Sequence, residues 1–478
     1  MDLADKNTSA RGAVACLGLA TLLAALGTSI ANVGLPTLVQ VFDASFQQVQ
    51  WVVIAYLLAM TCVIVGVGRL GDRFGRRRLL IGGLCLFTLA ALLGGFAPTL
   101  GLLIAARAVQ GLGAAIMMAL TLAFVSATVP KARAGRAMGV LGTMSALGTA
   151  LGPALGGVLI AGPGWRAMFW VSVPLGLIVL WLAYRTLPAD DAPVPGQKPE
   201  AFDGLGMLTL ALTLAAYALA LTLGRGHIGA VQGGLLLSAA LGFALFLRIE
   251  ARASAPLVRR EMLRDPDRRA GLAANALVAT VMMATLIVGP FYLAQTLGLS
   301  PARVGAVLAL GPVLSAVSGV PAGRLVDRWG ASFALLLGLG LMLAGALALV
   351  GLPPLAGLAG YCAAIALLTP GYQLFQAANN VRVMAEVPAD QRGVTSGVLN
   401  LARNLGLITG ASLMGAIFAF AVGGNDLAAA SAAAVAFGLQ ATFSVAVLLI
   451  GAALCLTLSA RQKSRAGWRR RFLRRGGG

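Results

Sequence analysis

Asp72 stands among arginines in the stretch Gly68 to Leu80, GRLGDRFGRRRLL, and the phrase returns from Gly323 to Gly330 as GRLVDRWG. Asp327 and Arg328 occupy the places of Asp72 and Arg73 in the second copy, and Gly75 closes the first. An aspartate so placed can cap a neighbouring helix end or pair with Arg73 or Arg76, and such contacts can hold one conformation and break in another. The alternative is a solvated charge cluster that only sets topology; the repetition favours the conformational lock. Ala331 and Ser332 stand where the first copy has Arg76 and Arg77, so the second lock is expected to be weaker.

Arg107 is the other group with chemistry to offer. It is the one charged residue in an otherwise apolar region, 79–130. A cation in mid-membrane costs about 2.5–3.5 kcal/mol even on the lenient insertion scale, so it needs a reason to be there. Three uses stay open: binding an anionic or polar substrate, tuning proton transfer, or bracing helices through backbone carbonyls. No acid accompanies it. All 16 aspartates and glutamates fall in connections or at span edges.

Further polar side chains suit a cavity between helices: Asn32, Gln110, Asn275, Gln295, Tyr372, Gln373, Gln376, Asn379, Asn380 and Asn404. Each can equally be helix–helix glue. Tyr56, Trp51 and Phe291 could stack on a flat ligand, with core or interface packing the favoured alternative for each. Gly148, Gly152 and Gly156 recur every fourth residue, with Gly157 beside them; such a glycine face lets two helices approach closely, and Pro153 adds a kink.

Several chemistries are excluded. The 5 cysteines lie inside apolar runs with no CxxC spacing, so neither a disulfide nor a metal site is expected. There is no GxxxxGK[ST] phosphate loop. The GxGxxG of Gly66, Gly68 and Gly71 follows a long apolar run, not a strand in a βαβ unit. No serine, cysteine or histidine constellation supports hydrolysis, so no enzyme activity and no cofactor are expected. A net charge of +20 could suggest nucleic acid, but the basic residues sit in short clusters between apolar runs rather than on one face.

The elements that must position these groups follow from composition. Hydrophobic residues make up 59% of the 478 and charged residues only 11%, against about 25% charged in ordinary soluble domains. Charge-free runs of 18 residues or more number fourteen once 329–381 is divided at Pro353-Pro354. An even count puts both termini on one side. With that side cytoplasmic, 31 of the 36 lysines and arginines lie there, which sets the orientation. The chain then divides into a six-helix bundle (1–187), a linker with two additional helices (188–268), a second six-helix bundle (269–460) and a basic tail (461–478) suited to anionic lipid. Asp203 is expected to cap the first added helix, and the sole histidine, His227, lies in the loop of that hairpin.

These phrases resemble the major facilitator superfamily. Gly68 to Arg77 matches its signature loop, Leu103-x-x-x-Arg107-x-x-Gln110-Gly111 its fourth-span motif, and GTALGPALGG (148–157) the fifth-span motif of its exporters. ANVGLP (31–36), QWVVIAYLLA (50–59), GYQLFQAANN (371–380) and NLARNLGLITGA (400–411) resemble the 14-span drug:proton antiporter branch. The resemblance implies an all-α polytopic membrane protein of major facilitator fold, two six-helix bundles plus two extra central helices. It implies a bacterial inner-membrane exporter of amphipathic small molecules working by alternating access, acting as a monomer and with no nucleic-acid partner. It carries gating to Gly68, Asp72, Arg73, Gly75, Arg76, Asp327 and Arg328, and a coupling or substrate role to Arg107, Gln110 and Asn32. One position departs. Members of that branch commonly carry an aspartate in the first span, five residues before the Asn, where this chain has Gly27. Protons therefore stay an open candidate for the coupling ion, and neutral or anionic ligands are expected over permanent cations. An uncoupled exporter or facilitator of a lipid or metabolite is the alternative within transport; a non-transporting receptor or scaffold is the alternative outside it.

Overall fold

The computed structural model describes residues 3–128, 131–188, 190, 204–223, 229–252, 265–385, 387, 392–423 and 430–475. The side chains of Gly68, Asp72 and Arg73, Asp203, His227 and the basic tail lie outside the described residues. Among the described residues the chain is helical, without a strand. The first half comprises α1 (Leu3–Val33), α2 (Leu35–Phe42), α3 (Phe46–Phe74), α4 (Arg76–Gly95), α5 (Leu100–Thr128), α6 (Lys131–Ala161), α7 (Ala167–Trp170) and α8 (Ser172–Thr186). A hairpin of α9 (Gly204–Thr222) and α10 (Ala230–Glu250) follows. The second half has α11 (Pro266–Phe291), α12 (Pro301–Trp329), α13 (Ala331–Met384), α14 (Arg392–Thr409), α15 (Gly415–Val422) and α16 (Ala432–Arg475). Thirteen helices among the described residues are long and apolar enough to cross a membrane.

One of these, α13, is 54 residues long and folds back on itself at Gly357, whose φ of 54° and ψ of −125° break the helix. Its arms pack antiparallel, with Gly338 against the Phe375 backbone and Gly345 against the Leu368 backbone. The count of fourteen crossings therefore holds, but the turn lies at Gly357, beyond the expected break at Pro353-Pro354. A proline removes the N–H that would bond four residues back. Here the carbonyl that Pro354 leaves free, that of Val350, accepts from Gln440 Nε2 on α16 at 3.1 Å, so the helix continues through the pair. We call the end of the bundle where Gly357 lies, away from both termini, the distal end.

The repeated phrase produces one backbone device twice. Gly75 (φ 91°, ψ 128°) ends α3 and begins α4; Gly330 (φ 81°, ψ 149°) ends α12 and begins α13. A single residue turns the chain between two long helices only in a region of φ/ψ space that side chains avoid. At the N-terminus of α3, Ser45 and Gln48 form a reciprocal capping box, which fixes where that span starts.

Within the first half α1 packs on α6, and α3 and α4 pack on α5; within the second, α12 packs on α13 and α11 on α14 and α16. Gly148, Gly152 and Gly156 all face α1: a Cβ at these positions would lie 2.3 Å from Leu22 O, 1.9 Å from Ser29 Oγ and 2.6 Å from Val33 Cγ1. Gly157 points elsewhere, to Pro301 and Gly305 of α12, so the fifth-span motif clamps its own half with three glycines and meets the other half with the fourth.

Gly330→Ala should lower stability by about 1–3 kcal/mol, since no atom lies within 4 Å of the added methyl and the backbone angle alone is penalised. Gly323→Ala, equally uncrowded but at ordinary φ, should leave thermal unfolding in detergent unchanged or slightly raised. Equal melting temperatures for the two variants would contradict this account of the corner.

Candidate functional site

Arg107 sits on α5, seven residues into the helix, and is 1% exposed. Three helices contribute to its cage. Its Nε donates to Val52 O on α3 at 3.0 Å, its Nη2 to Gly27 O on α1 at 2.9 Å, and its Nη1 to Gln110 Oε1 one turn along α5 at 2.6 Å. The Tyr56 ring lies flat beneath the guanidinium, 4.2 Å from its carbon, and the Tyr56 hydroxyl donates to Ala24 O at 3.0 Å. Among the described residues no carboxylate reaches it.

Small residues make this cage possible. Gly111 lies against the Tyr56 backbone so closely that a Cβ would stand 2.3 Å from Tyr56 O. That approach brings α3 near enough to α5 for both the ring and the Val52 carbonyl to meet the guanidinium. At Gly27 a Cβ would stand 2.9 Å from Phe87 Cζ and 3.3 Å from Tyr56 Oη. The position that carries an acid in the resembling branch is thus empty of a side chain and already filled by the edge of a neighbouring ring. Each hydrogen bond to a charged group contributes about 1.5–3 kcal/mol. With all three made, they outweigh an insertion cost of about 2.5–3.5 kcal/mol. Of the three uses left open by the sequence, the geometry displays bracing through carbonyls.

The remaining expected residues are dispersed. Asn32 is buried; its Nδ2 donates weakly to Thr28 O at 3.4 Å and its Oδ1 has no partner. Asn275 Nδ2 donates to Leu399 O at 3.0 Å, joining α11 to α14. Asn379 is fully buried with neither amide atom partnered, Asn404 is buried, and Asn380 is exposed. Tyr372 accepts from Gln376 Nε2 at 2.9 Å on the same helix. Gln295 lies in the π segment Tyr292–Thr296, its Oε1 without a partner. Asp327 and Arg328 are exposed. At the first signature loop, Arg77 N–H and Arg78 N–H donate to the two oxygens of Asp190 at 2.7 and 3.1 Å, so a linker aspartate caps the start of α4. Arg76 is part-buried beside it.

Phe291 belongs to a plug at the distal end. Its ring meets Phe46 edge-on at 4.8 Å, and Phe418 lies 5.5 Å from Phe46 and 6.1 Å from Phe291. All three are fully buried, and they come from α3 of one half and α11 and α15 of the other. One turn below Phe46 is Gln50, fully buried with neither amide atom partnered and pressed on Gly415 of the second half. Both second-half helices are π-distorted beside the plug, at Tyr292–Thr296 and Gly410–Met414. Sequence reading did not single out Phe46, Phe418 or Gly415, whose types and spacing carry no signal that would, and it met Gln50 only as the first residue of QWVVIAYLLA. A groove of about 720 Å³, separate from the plug, runs beside Gln47, Trp51, Ile104 and Thr222.

Residues 17–411 match the family described as Major Facilitator Superfamily. The chain is 34% identical over 423 residues to the drug efflux pump JefA of Mycobacterium tuberculosis, covering 85% of this chain and 80% of that one. It is 30% identical over 409 residues to the riboflavin transporter RibZ of Clostridioides difficile, covering 85% and 87%. Its fold is similar to the inward-facing, unoccupied crystal structure of a bacterial homologue of the human lysosomal transporter Spinster, with a TM-score of 0.67 at 16% identity, covering 95% and 97%.

Arg107→Lys should leave the fold intact and cut transport at least tenfold, because an ammonium cannot reach three acceptors on three helices at once. Gly111→Ala should lower stability by about 1–3 kcal/mol, since the neighbour it strikes is backbone. Purified yield and melting temperature, with flux in vesicles, check both; full flux in the lysine variant would remove the fork from the account.

Proposed function

Because the chain belongs to the major facilitator superfamily and is a multi-pass membrane transporter, we propose that it exports amphipathic small molecules across the bacterial inner membrane by alternating access. Neutral or anionic cargo is favoured over permanent cations. Both termini are placed on the cytoplasmic side in this reading, which the lysine and arginine distribution supports. The distal end is then external, and the buried Phe46–Phe291–Phe418 plug supports a state whose cavity faces the cytoplasm.

The observation that carries the cargo preference is the Arg107 cage. A guanidinium held by carbonyls and a carboxamide keeps its full positive charge unbalanced, and the room for a first-span acid is taken by Phe87. A permanent cation entering nearby meets repulsion in a low dielectric and no anion to offset it. A polar or anionic cargo meets the opposite field. Relatives include pumps named for drug efflux and a transporter named for riboflavin, which supports a site for flat, mixed-polarity molecules.

The second reading, export without proton coupling, draws on the acid census: no mid-span carboxylate is available to take up and release a proton. The chain in vesicles, offered riboflavin, fluorescein and ethidium, tests both. Riboflavin or fluorescein should move faster than ethidium; ethidium as the fastest of the three would overturn the charge preference. An imposed pH gradient should accelerate flux of the preferred dye where export is proton-coupled, and unchanged flux would establish the uncoupled reading.

A further inference from the structure

The hairpin α9–α10 lies between the two halves in sequence, and in space α9 touches both. α10 packs on α9 and leaves most of its side chains exposed. α9 lies along the seam where α3 of the first half meets the π segment Gly410–Met414 of the second. Toward the first half, Trp51 Nε1–H donates to Thr222 Oγ1 at 2.9 Å, and that hydroxyl donates on to Ala218 O at 2.8 Å. Toward the second half, the Tyr217 hydroxyl donates to Thr409 Oγ1 at 3.4 Å, and Thr409 donates on to Leu405 O at 2.9 Å. Five residues separate Tyr217 from Thr222, a turn of about 140° around the helix, so the two contacts leave α9 on different faces.

The two attachments are unequal. The indole contact is shorter, and α9 packs more extensively on α3 than on the π segment. Leu223 and Thr222 also join Ser45, Trp51 and Ile104 in lining one groove, so first-half residues and the end of α9 share a surface. Toward the second half, α9 packs on the π segment, and Tyr217 reaches Thr409, the last residue before the helix widens into that segment, by a long hydrogen bond. The opposite seam, between α6 and α12, needs no such cover, because Gly157 and Gly305 bring those helices into backbone contact.

We propose that α9 is a strap over the α3–α14 seam that rides with the first half and releases Tyr217 from Thr409 whenever the distal end opens. Tyr217 and Thr409 are positioning residues in this scheme: they touch each other, not cargo. With the contact made, the seam is covered on its bilayer side, and cargo dissolved in the distal leaflet has no path back into the chamber there. The proposal rests on the alternating-access reading, because a strap that releases needs halves that part.

The test uses the full chain without its 5 native cysteines, carrying one cysteine pair at a time and linked by a reducible bifunctional thiol reagent. Flux is followed with whichever of riboflavin, fluorescein and ethidium the unmodified chain carries fastest. Linking Tyr217→Cys to Thr409→Cys should cut flux more than tenfold, with recovery on reduction. Linking Trp51→Cys to Thr222→Cys should leave it within about twofold. Linking Phe46→Cys to Phe418→Cys reports on the halves themselves: undiminished flux there overturns alternating access. Arrest at the phenylalanine pair with free flux at the 217–409 link overturns the strap alone, as does equal arrest at the 51–222 link. Should a pair be inactive before linking, spin labels at the exposed positions Leu241 (α10), Leu89 (α4) and Leu347 (α13) decide the matter. Adding the dye should leave the 241–89 distance single and split the 241–347 distance; the reverse pattern overturns the proposal.

Discussion

A guanidinium cannot shed its proton under physiological conditions, so Arg107 must remain charged where it is buried. That one constraint dictates most of what surrounds it. Its donors form a rigid planar fork, and the acceptors that meet them come from α1, α3 and α5 itself. The spacing of three helices is therefore set by the reach of one side chain. Gly111 has no side chain because α3 must come close, and Gly27 has none because the Phe87 ring and the Tyr56 hydroxyl press on it while its carbonyl faces the fork. Tyr56 contributes twice, a ring face to the cation and a hydroxyl to Ala24 on α1. The contacts are mutual, so no member can move far without leaving a buried polar group unmet.

The hydrogen bonds of the Arg107 cage join helices of the first half only. The seams between the halves use different chemistry. They are made of glycine against backbone and of aromatic edges, with Gly157 on Gly305 and Phe46 between Phe291 and Phe418. Apolar contacts are non-directional and can part without orphaning donors or acceptors. Gln50 is the exception, because both its amide atoms are buried at the distal seam without partners. An unmet buried amide costs about 1–3 kcal/mol, which holds the closed seam short of its greatest possible stability. A braced half and an easily parted seam are complementary properties, and each follows from the side chains that supply it.

The fold was legible because it rests on local signals. Run lengths and the placement of lysines and arginines set the crossings, and the duplicated phrase announced two equivalent corners, which Gly75 and Gly330 supply with the same positive φ. Arg107 was legible as a lone cation in an apolar run, and bracing was among its expected uses. What escaped notice is non-local. The proline pair looked like a break because the partner that rescues its free carbonyl, Gln440, lies on another helix far along the chain. Phe46 and Phe418 look like any phenylalanine in a membrane span until three helices bring them to one point. Asn275, Gln295 and Asn379 are of the same polar kind, yet they fall in separate places, because residue type says nothing about which face of a helix meets which neighbour.

The duplicated phrase also shows where sequence likeness and structural equivalence separate. Both copies bend the backbone in the same way, but among the described residues a side chain caps only the first corner. There Asp190 offers both carboxylate oxygens to the first N–H groups of α4, so closely that Gly75 could not carry a Cβ. A helix N-terminus favours such an anion through its exposed donors and its dipole. At the second corner no described residue beyond the chain neighbours comes within 4 Å of a methyl added at Gly330, and Asp327 and Arg328 are exposed. The capping acid does not belong to the repeat. It belongs to the segment that follows α8, so the tie on the first corner comes from outside both copies of the phrase. The repeat encodes the corner; the connection between the halves decides which corner is tied.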